Sequence, residues 1–521
     1  MDLKQRAVEI DARFARFIAS FGGGARVEEV AGRLMENLRG GHTQIVTEAE
    51  ERSALLACSA VGDGAAQRPL VLDSKGRLFL RRYYEYEQKL SGLIKARLAK
   101  NGEAPEESEP GERAVKASRE ARFLIVSGAP GTGKTFTARR IVEDAVRVQP
   151  EVRIALAAPT GKAAGRLDET LGNMELPHPI KATTIHRLLG IRPHVVTPRH
   201  HAGNPLPLDL LIVDEASMID LPLMTKLLDA LDLRTRLVLL GDKDQLPSVE
   251  AGNVLGDLAQ AAKHGGAMEA ALIVLQTNHR FSRDSMIFRA SQAVRAGDYE
   301  EWEKVASKVV RSNPDPATLE ACVAEELVPH FQKLGQLRDP VEALAHMGTF
   351  RVLCALRRGI WGAEFLNKAI KRVLSPSNDL AEEESALFHG LPVLITRNSP
   401  EVGLFNGDVG VVLRDMNDTD QLHAWFQDGT KGVRAVNSSR LPAWQPAYAL
   451  TVHKSQGSEF QNIHIVLPTE PTQILTRELL YTAVTRAREG FSLWANPGIV
   501  KAAIGTPQMR FTALQDALES V

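Results

Sequence analysis

FLIVSGAPGTGKTFTARRIVEDAVRV, residues Phe123 to Val148, decides how the rest of this 521-residue chain is read. Its first four residues, FLIV, have the composition of a strand buried on both faces in a parallel sheet. Gly128 to Thr135 then match G-x-x-x-x-G-K-T, and Phe136, Ala138, Ile141, Val142, Ala145 and Val146 recur at the spacing of one helix face. Strand, glycine loop and helix in that order are the setting in which this motif cradles phosphate. Across Gly128, Ala129, Pro130, Gly131, Thr132 and Gly133, the glycines let backbone N–H groups turn inward, and the helix N-terminus adds its positive end. Lys134 is expected at the β- and γ-phosphates of a nucleotide, and the Thr135 hydroxyl on Mg²⁺.

A chain this long cannot bury a single core and should divide into several domains. Its 44% hydrophobic and 24% charged residues are those of a soluble globular protein. The net charge of −1 means that any basic groove must be local. Cys58, Cys322 and Cys354 lie far apart without zinc or iron–sulfur spacing, so free thiols in a reducing compartment are expected. The N-terminus lacks an apolar signal core, and no apolar run is long enough to span a bilayer; a cytoplasmic location follows as the expectation.

Residues 1–110 read as a separate, mostly helical unit suited to docking on a partner. Ala7, Ile10, Phe14, Phe17 and Ile18 mark an amphipathic helix, and PLVLDSKGRLFLR (Pro69 to Arg81) a hairpin. NGEAPEESEPGE, from Asn101 to Glu112, has five glutamates and two prolines, the composition of an exposed linker. Strand–helix alternation then runs over 111–277 and again over 278–521, which predicts an α/β fold with two parallel sheets. Between about 388 and 441 the texture shifts to short strands and turns, Asn406-Gly407 and Asp428-Gly429 among them, and a small β-barrel insertion is expected.

Each apolar strand after the phosphate loop ends in polar residues: Pro159-Thr160-Gly161-Lys162, Asp214-Glu215, Gly241 to Gln245, and Asn278-His279-Arg280. Ligands of open parallel sheets bind at these carboxyl ends. Asp214 suits the Mg²⁺ environment, and Glu215 suits orienting or deprotonating an attacking water. Gln245 can hydrogen-bond both γ-phosphate and water. Hydrolysis also calls for positive charge opposite the leaving phosphate, and Arg280 and Arg486 are the two candidates.

The ordered set APTGKAA (158–164), TTIHRLLG (183–190), DEASM, GDKDQLPSVEAGNVLGDL (241–258), NHRF, ALTVHKSQGSEF (449–460) and YTAVTRAR (481–488) resembles the superfamily 1 DNA helicases. More narrowly, HHAGNPLPLDLLIVDEASMIDLP, GLFNGDVG and VTRELLYTAVTRAR are similar to the RecD family of helicase–nuclease (exonuclease V) subunits. That resemblance implies two RecA-like domains with an SH3-like barrel inserted in the second. It implies ATP and Mg²⁺ in the cleft between them, with Lys134, Thr135, Asp214, Glu215 and Gln245 on one wall. Arg280 and Arg486 would reach from the other wall, and Gly457 and Glu459 would fall near the nucleotide. Single-stranded DNA would face Thr160, Lys162, Thr184 and His186 on the first domain and Thr451, His453 and Lys454 on the second. The implied activity is 5′→3′ translocation and helicase action on duplex DNA ends, beside RecB-like and RecC-like subunits, one of which supplies any exonuclease. A stand-alone helicase of the superfamily and a nucleotide-binding regulatory subunit with little turnover are the alternatives. Residues 111–127 hold no Gln to contact adenine from upstream of the phosphate loop, which leaves strict ATP preference open.

Overall fold

The computed structural model describes residues 3–101, 109–171, 174, 180–192, 195–377, 383, 386–415, 421–428 and 432–519. Most of the expected linker, and Gly429 of the second turn, lie outside the described residues.

The quoted stretch forms the strand Phe123–Gly128 and the helix Lys134–Val148. Phe123 and Ile125 enter one core, and Leu124 and Val126 the other. Both faces of the strand are therefore covered, which is why its apolar residues run unbroken. The strand sits second in a six-stranded parallel sheet, in the order Leu272–Leu275, Phe123–Gly128, Arg236–Gly241, Leu210–Val213, Ile154–Ala158, Ala182–Thr184. The last of these, only three residues long, was not anticipated. On the helix, Ala138, Ile141, Val142 and Ala145 are buried as expected. Phe136 is not, and stands 61% exposed on the side facing the glycine loop.

A second parallel sheet is ordered Val310–Arg311, Ala487–Trp494, Phe460–Val466, Phe350–Cys354, Ala449–Thr451. Between its strands the chain makes a five-stranded antiparallel sheet from Pro392–Ile395 to Trp444–Pro446. Its ladder runs from the edge strand Val433–Asn437 to the edge strand Trp444–Pro446 and is the antiparallel insertion expected in the second α/β unit. Among the described residues no helix is long and apolar enough to cross a membrane.

The N-terminal unit adds a four-stranded sheet to its helices, including the antiparallel pair Leu70–Leu72 and Arg77–Leu80 of the expected hairpin. It is clamped to the first large sheet by Arg97, a fully buried side chain that donates to the carbonyls of Thr235, Leu231 and Asp232 at 2.9–3.1 Å. The C-terminal strap, residues 506–519, returns from the second sheet to this junction. There Glu87 accepts from the Thr43 hydroxyl and from the backbone N–H of Ala513.

Glu87 is 2% exposed, and burial pushes its carboxyl up to about 7. Native protein thus keeps a proton there that the unfolded chain gives up near its ordinary value. Stability conferred below that value is lost as pH rises toward about 7, an effect of order 3 kcal/mol by linkage. Urea unfolding of Glu87→Gln at several pH values should show this part of the slope missing.

Candidate functional site

The glycine loop turns through left-handed backbone at Gly131 (φ 86°) and Gly133 (φ 83°). A Cβ on Gly131 would lie 2.6 Å from the Cβ of Arg280, so this position admits no side chain. Lys134 folds back over the loop, donating to the carbonyls of Gly128 at 2.5 Å and Ala129 at 3.1 Å. An anion entering the loop offers that ammonium a charged partner in place of two neutral ones.

Asp214 and Glu215 follow the strand Leu210–Val213 directly. Burial, and then the Glu215 charge, raise the Asp214 carboxyl above its ordinary range. Among the described residues Glu215 is the one non-glycine with positive φ, 52°, while its N–H donates to Asp214 Oδ1 at 2.8 Å. A Glu held in that sparsely populated conformation is strained backbone placed at the cleft.

Opposite stands a buried bridge between the two large units. Gln245 Nε2 donates to Asp242 Oδ2 at 3.0 Å, and the Tyr481 hydroxyl donates to the same oxygen at 3.0 Å. Arg486, 2% exposed, donates to Gln245 Oε1 at 3.1 Å and to the carbonyls of Thr482 and Ser458. It sits just past the helix Arg477–Val484, not on it. Leu246 gives its N–H to the Thr482 hydroxyl and accepts from Gln456 at its carbonyl, both at 2.9 Å. The loop that follows Gly241 is thus hydrogen-bonded to the second unit through side chain and main chain alike.

Arg280 departs from the expectation that it reaches from the second wall. Its segment is sewn to the glycine loop: Asn278 Nδ2 donates to the Pro130 carbonyl and the His279 N–H to that of Gly131. The reason is local, because the strand Leu272–Leu275 lies beside Phe123–Gly128 and its continuation cannot avoid the loop. Only the guanidinium crosses, donating to Glu459 Oε1 at 2.6 Å. Glu459 also holds Arg488 at 3.0 Å and faces Arg166 at 3.6 Å. Burial works to raise this carboxyl, but Arg280, Arg166 and Arg486 hold it down at about 2.

These groups line one cleft of ≈ 440 Å³, which brings Gly131, Gly133, Lys134, Thr135, Asp214, Glu215, Gln245, Arg280, Glu459 and Arg486 together. Arg166, Arg488 and Tyr481 were not singled out from the sequence, and Asn278 and Asp242 only as members of their strand tips. Arg166 follows Lys162 by one helical turn, and Tyr481 and Arg488 begin and end YTAVTRAR, so a signal existed for these three.

With this geometry in view, the AAA domain model matches residues 111–251 and the UvrD-like helicase C-terminal domain model residues 446–493. The RecBCD enzyme subunit RecD of Mycolicibacterium smegmatis is 36% identical over 499 residues, covering 89% of this chain and 86% of that protein. This chain belongs to the RecD family. The RecD of Haemophilus influenzae is 36% identical over 471 residues, 78% of this chain and 72% of that one. The ATP-dependent RecD2 DNA helicase of Deinococcus radiodurans is 32% identical over 459 residues, 85% of this chain and 57% of that longer protein.

In this RecD-family chain the remaining sequence-derived residues lie at the strand tips away from the glycine loop. Lys162 donates to the Ser458 hydroxyl of the second unit at 2.6 Å, and burial, then Arg166 and Arg351, bring its ammonium down to about 7. Thr160 accepts from the Ala163 N–H, and Thr184 caps its short helix by accepting from Arg187. Thr184 adjoins the first of these tips because Ala158 pairs with Thr184 in the sheet. Burial lowers His186, His453 and Lys454 below their ordinary values. Thr451 ends the edge strand beside Cys354, and Gly457 turns with φ 67°, where an added Cβ would lie 3.9 Å from that of Ala163.

Because Tyr481 and Gln245 share one oxygen of Asp242, removing either leaves the other as its remaining donor. Tyr481→Phe with Gln245→Ala should therefore cost more stability than the two single changes summed, by about 1 kcal/mol in a double-mutant cycle. Strictly additive unfolding energies would mean that Asp242 does not join the two units.

Proposed function

We propose that this chain is an ATP-driven motor that moves 5′→3′ on single-stranded DNA and unwinds duplex ends within a RecBCD-type complex. The relatives' names, RecBCD subunit and DNA helicase, support the assignment. The observation that carries it is the buried bridge from Asp242 through Gln245 to Arg486, beside the phosphate loop and across two α/β units. A regulatory subunit with little turnover would have no need to gather a strained Glu, a Gln, a buried Arg486 and three further arginines around one cleft.

In this reading Lys134 leaves its loop carbonyls for the β- and γ-phosphates, and Arg280 and Arg486 balance charge that develops on the leaving group. Glu215 holds and deprotonates the attacking water, which Gln245 orients. Thr135 and Asp214, a hydroxyl and a carboxylate lining the same cleft, would hold Mg²⁺, and the ion would withdraw charge from the phosphate oxygens. Loss of the γ-phosphate frees Gln245 and Arg486 to separate, and the two units part. Thr160, Lys162, Thr184 and His186 grip phosphates from one unit while Thr451, His453 and Lys454 grip from the other, so alternating closure moves the strand. Residues 1–110 serve as the docking domain toward RecB-like and RecC-like subunits, and the cytoplasm is the place of action.

DNA-stimulated ATP hydrolysis should vanish in Lys134→Gln, and the wild-type chain should unwind 5′-tailed duplexes in preference to 3′-tailed ones, alone or with its partners. Hydrolysis that survives Lys134→Gln, or a preference for 3′ tails, would overturn the reading. Lys162 supplies an independent check. The free ammonium titrates near 7, whereas a bound phosphate would raise that value, so binding takes up a proton. Affinity for single-stranded DNA should weaken as pH rises from about 7 to about 9, by up to roughly tenfold per unit. Fluorescence anisotropy with Lys162→Met should lose that pH dependence.

A further inference from the structure

The loop that carries Gln245 has a second attachment, made by the C-terminal strap. Arg510 Nη1 donates to the carbonyls of Glu250 at 2.7 Å and Gly252 at 2.6 Å, and Nη2 to that of Ser248 at 2.6 Å. One guanidinium therefore takes up three main-chain acceptors of a segment that lies between the strand Arg236–Gly241 and the helix Val254–Ala261 and has no ladder of its own. Gly252 is also tied to the N-terminal unit, donating its N–H to the Gly41 carbonyl at 2.9 Å.

The strap around Arg510 is itself held firmly. Phe511 stacks on His42 with ring centres 4.9 Å apart, its carbonyl accepts from Thr43, and Thr512 donates to Asp257 at 2.9 Å. Further on, Asp516 pairs with Lys75 and Arg77. The near end of the same loop is bonded at Leu246 to Thr482 and Gln456 of the second unit. Gln456 follows the turn His453–Ser455, and the Arg510 charge reaches His453, lowering it after the larger effect of burial. The loop from Asp242 to Gly252 thus carries Gln245 on the nucleotide side, meets at Leu246 the segment that follows the His453 turn, and has its far half fixed by Arg510.

We infer that Arg510 is a positioning residue for DNA-stimulated hydrolysis. By pinning Ser248, Glu250 and Gly252 it makes the loop a stiff link, so that a shift of the His453 turn on binding DNA is delivered to Gln245 and Arg486. Without the guanidinium, three carbonyls lose a charged donor and the far half of the loop can yield. A displacement that enters at Leu246 through Gln456 is then taken up by the far half instead of moving Gln245. Binding of ATP, which depends on the glycine loop and Lys134, is untouched. The inference rests on the motor reading above.

The test uses the full chain, alone and with its partner subunits, and measures kcat and KM for ATP with and without saturating single-stranded DNA. For Arg510→Ala, kcat with DNA should fall about tenfold, while KM and the DNA-free rate stay within about twofold of wild type. Arg510→Lys, which keeps the charge but reaches fewer carbonyls, should recover part of the loss, and it carries the test if Arg510→Ala fails to fold. Asp516→Asn loosens the strap away from the loop and should leave DNA stimulation intact. Stimulation equal to wild type in Arg510→Ala, or an equal loss with and without DNA that Asp516→Asn reproduces, would overturn the inference and leave Arg510 as a structural clip. A wild-type chain that shows no DNA stimulation at all would instead remove the motor reading.

Discussion

Everything around the cleft depends on a polar bridge that must be satisfied where water is excluded. Asp242, Gln245, Tyr481 and Arg486 are all nearly or fully buried, and each uses another as a hydrogen-bond partner. Burial above all raises Asp242 and lowers Arg486, so both charges are costly to hold here. Separating the units would leave them unpaired unless water enters, whereas closing restores every bond at once. Such a contact favours two discrete arrangements over a continuum, and that is what an alternating motor needs.

The arginine side of the cleft is balanced by a single carboxylate. Glu459 answers Arg280, Arg166 and Arg488 together, and Arg280, Arg166 and Arg486 hold it ionised far below the ordinary glutamate range. The mouth of the cleft can therefore carry several guanidinium groups without flying apart by repulsion. Entering phosphates meet arginines already oriented, so less ordering is required when the nucleotide binds. Lys162, at the neighbouring strand tip, shows the opposite solution. It is half-buried against Ser458 with no carboxylate among the described residues bonded to it, and it yields its proton more readily.

Much of this was legible from residue order. The unbroken apolar run FLIV placed Phe123–Gly128 inside a parallel sheet, and the polar residues after each later strand placed Lys134, Asp214, Glu215 and Gln245 at one edge. Strand tips converge because parallel strands all end on the same side, a constraint that needs no side-chain detail. The short strand Ala182–Thr184 escaped notice because three residues carry no periodicity. Phe136 was placed on the wrong face because it begins the helix at the loop, where helical spacing does not yet govern burial.

The sequence by itself determined the chemistry: a phosphate loop, a carboxylate pair, a Gln and distant arginines in the order of the RecD family. Only the tertiary structure decided which groups meet. That Arg280 belongs to the glycine-loop side, that Glu459 gathers three arginines, and that Arg510 grips the Gln245 loop from some 260 residues away are results of packing. Local pattern records what each segment can do within a few turns. Contacts between segments hundreds of residues apart follow from how the sheets and the C-terminal strap close on one another, and no spacing along the chain encodes that distance.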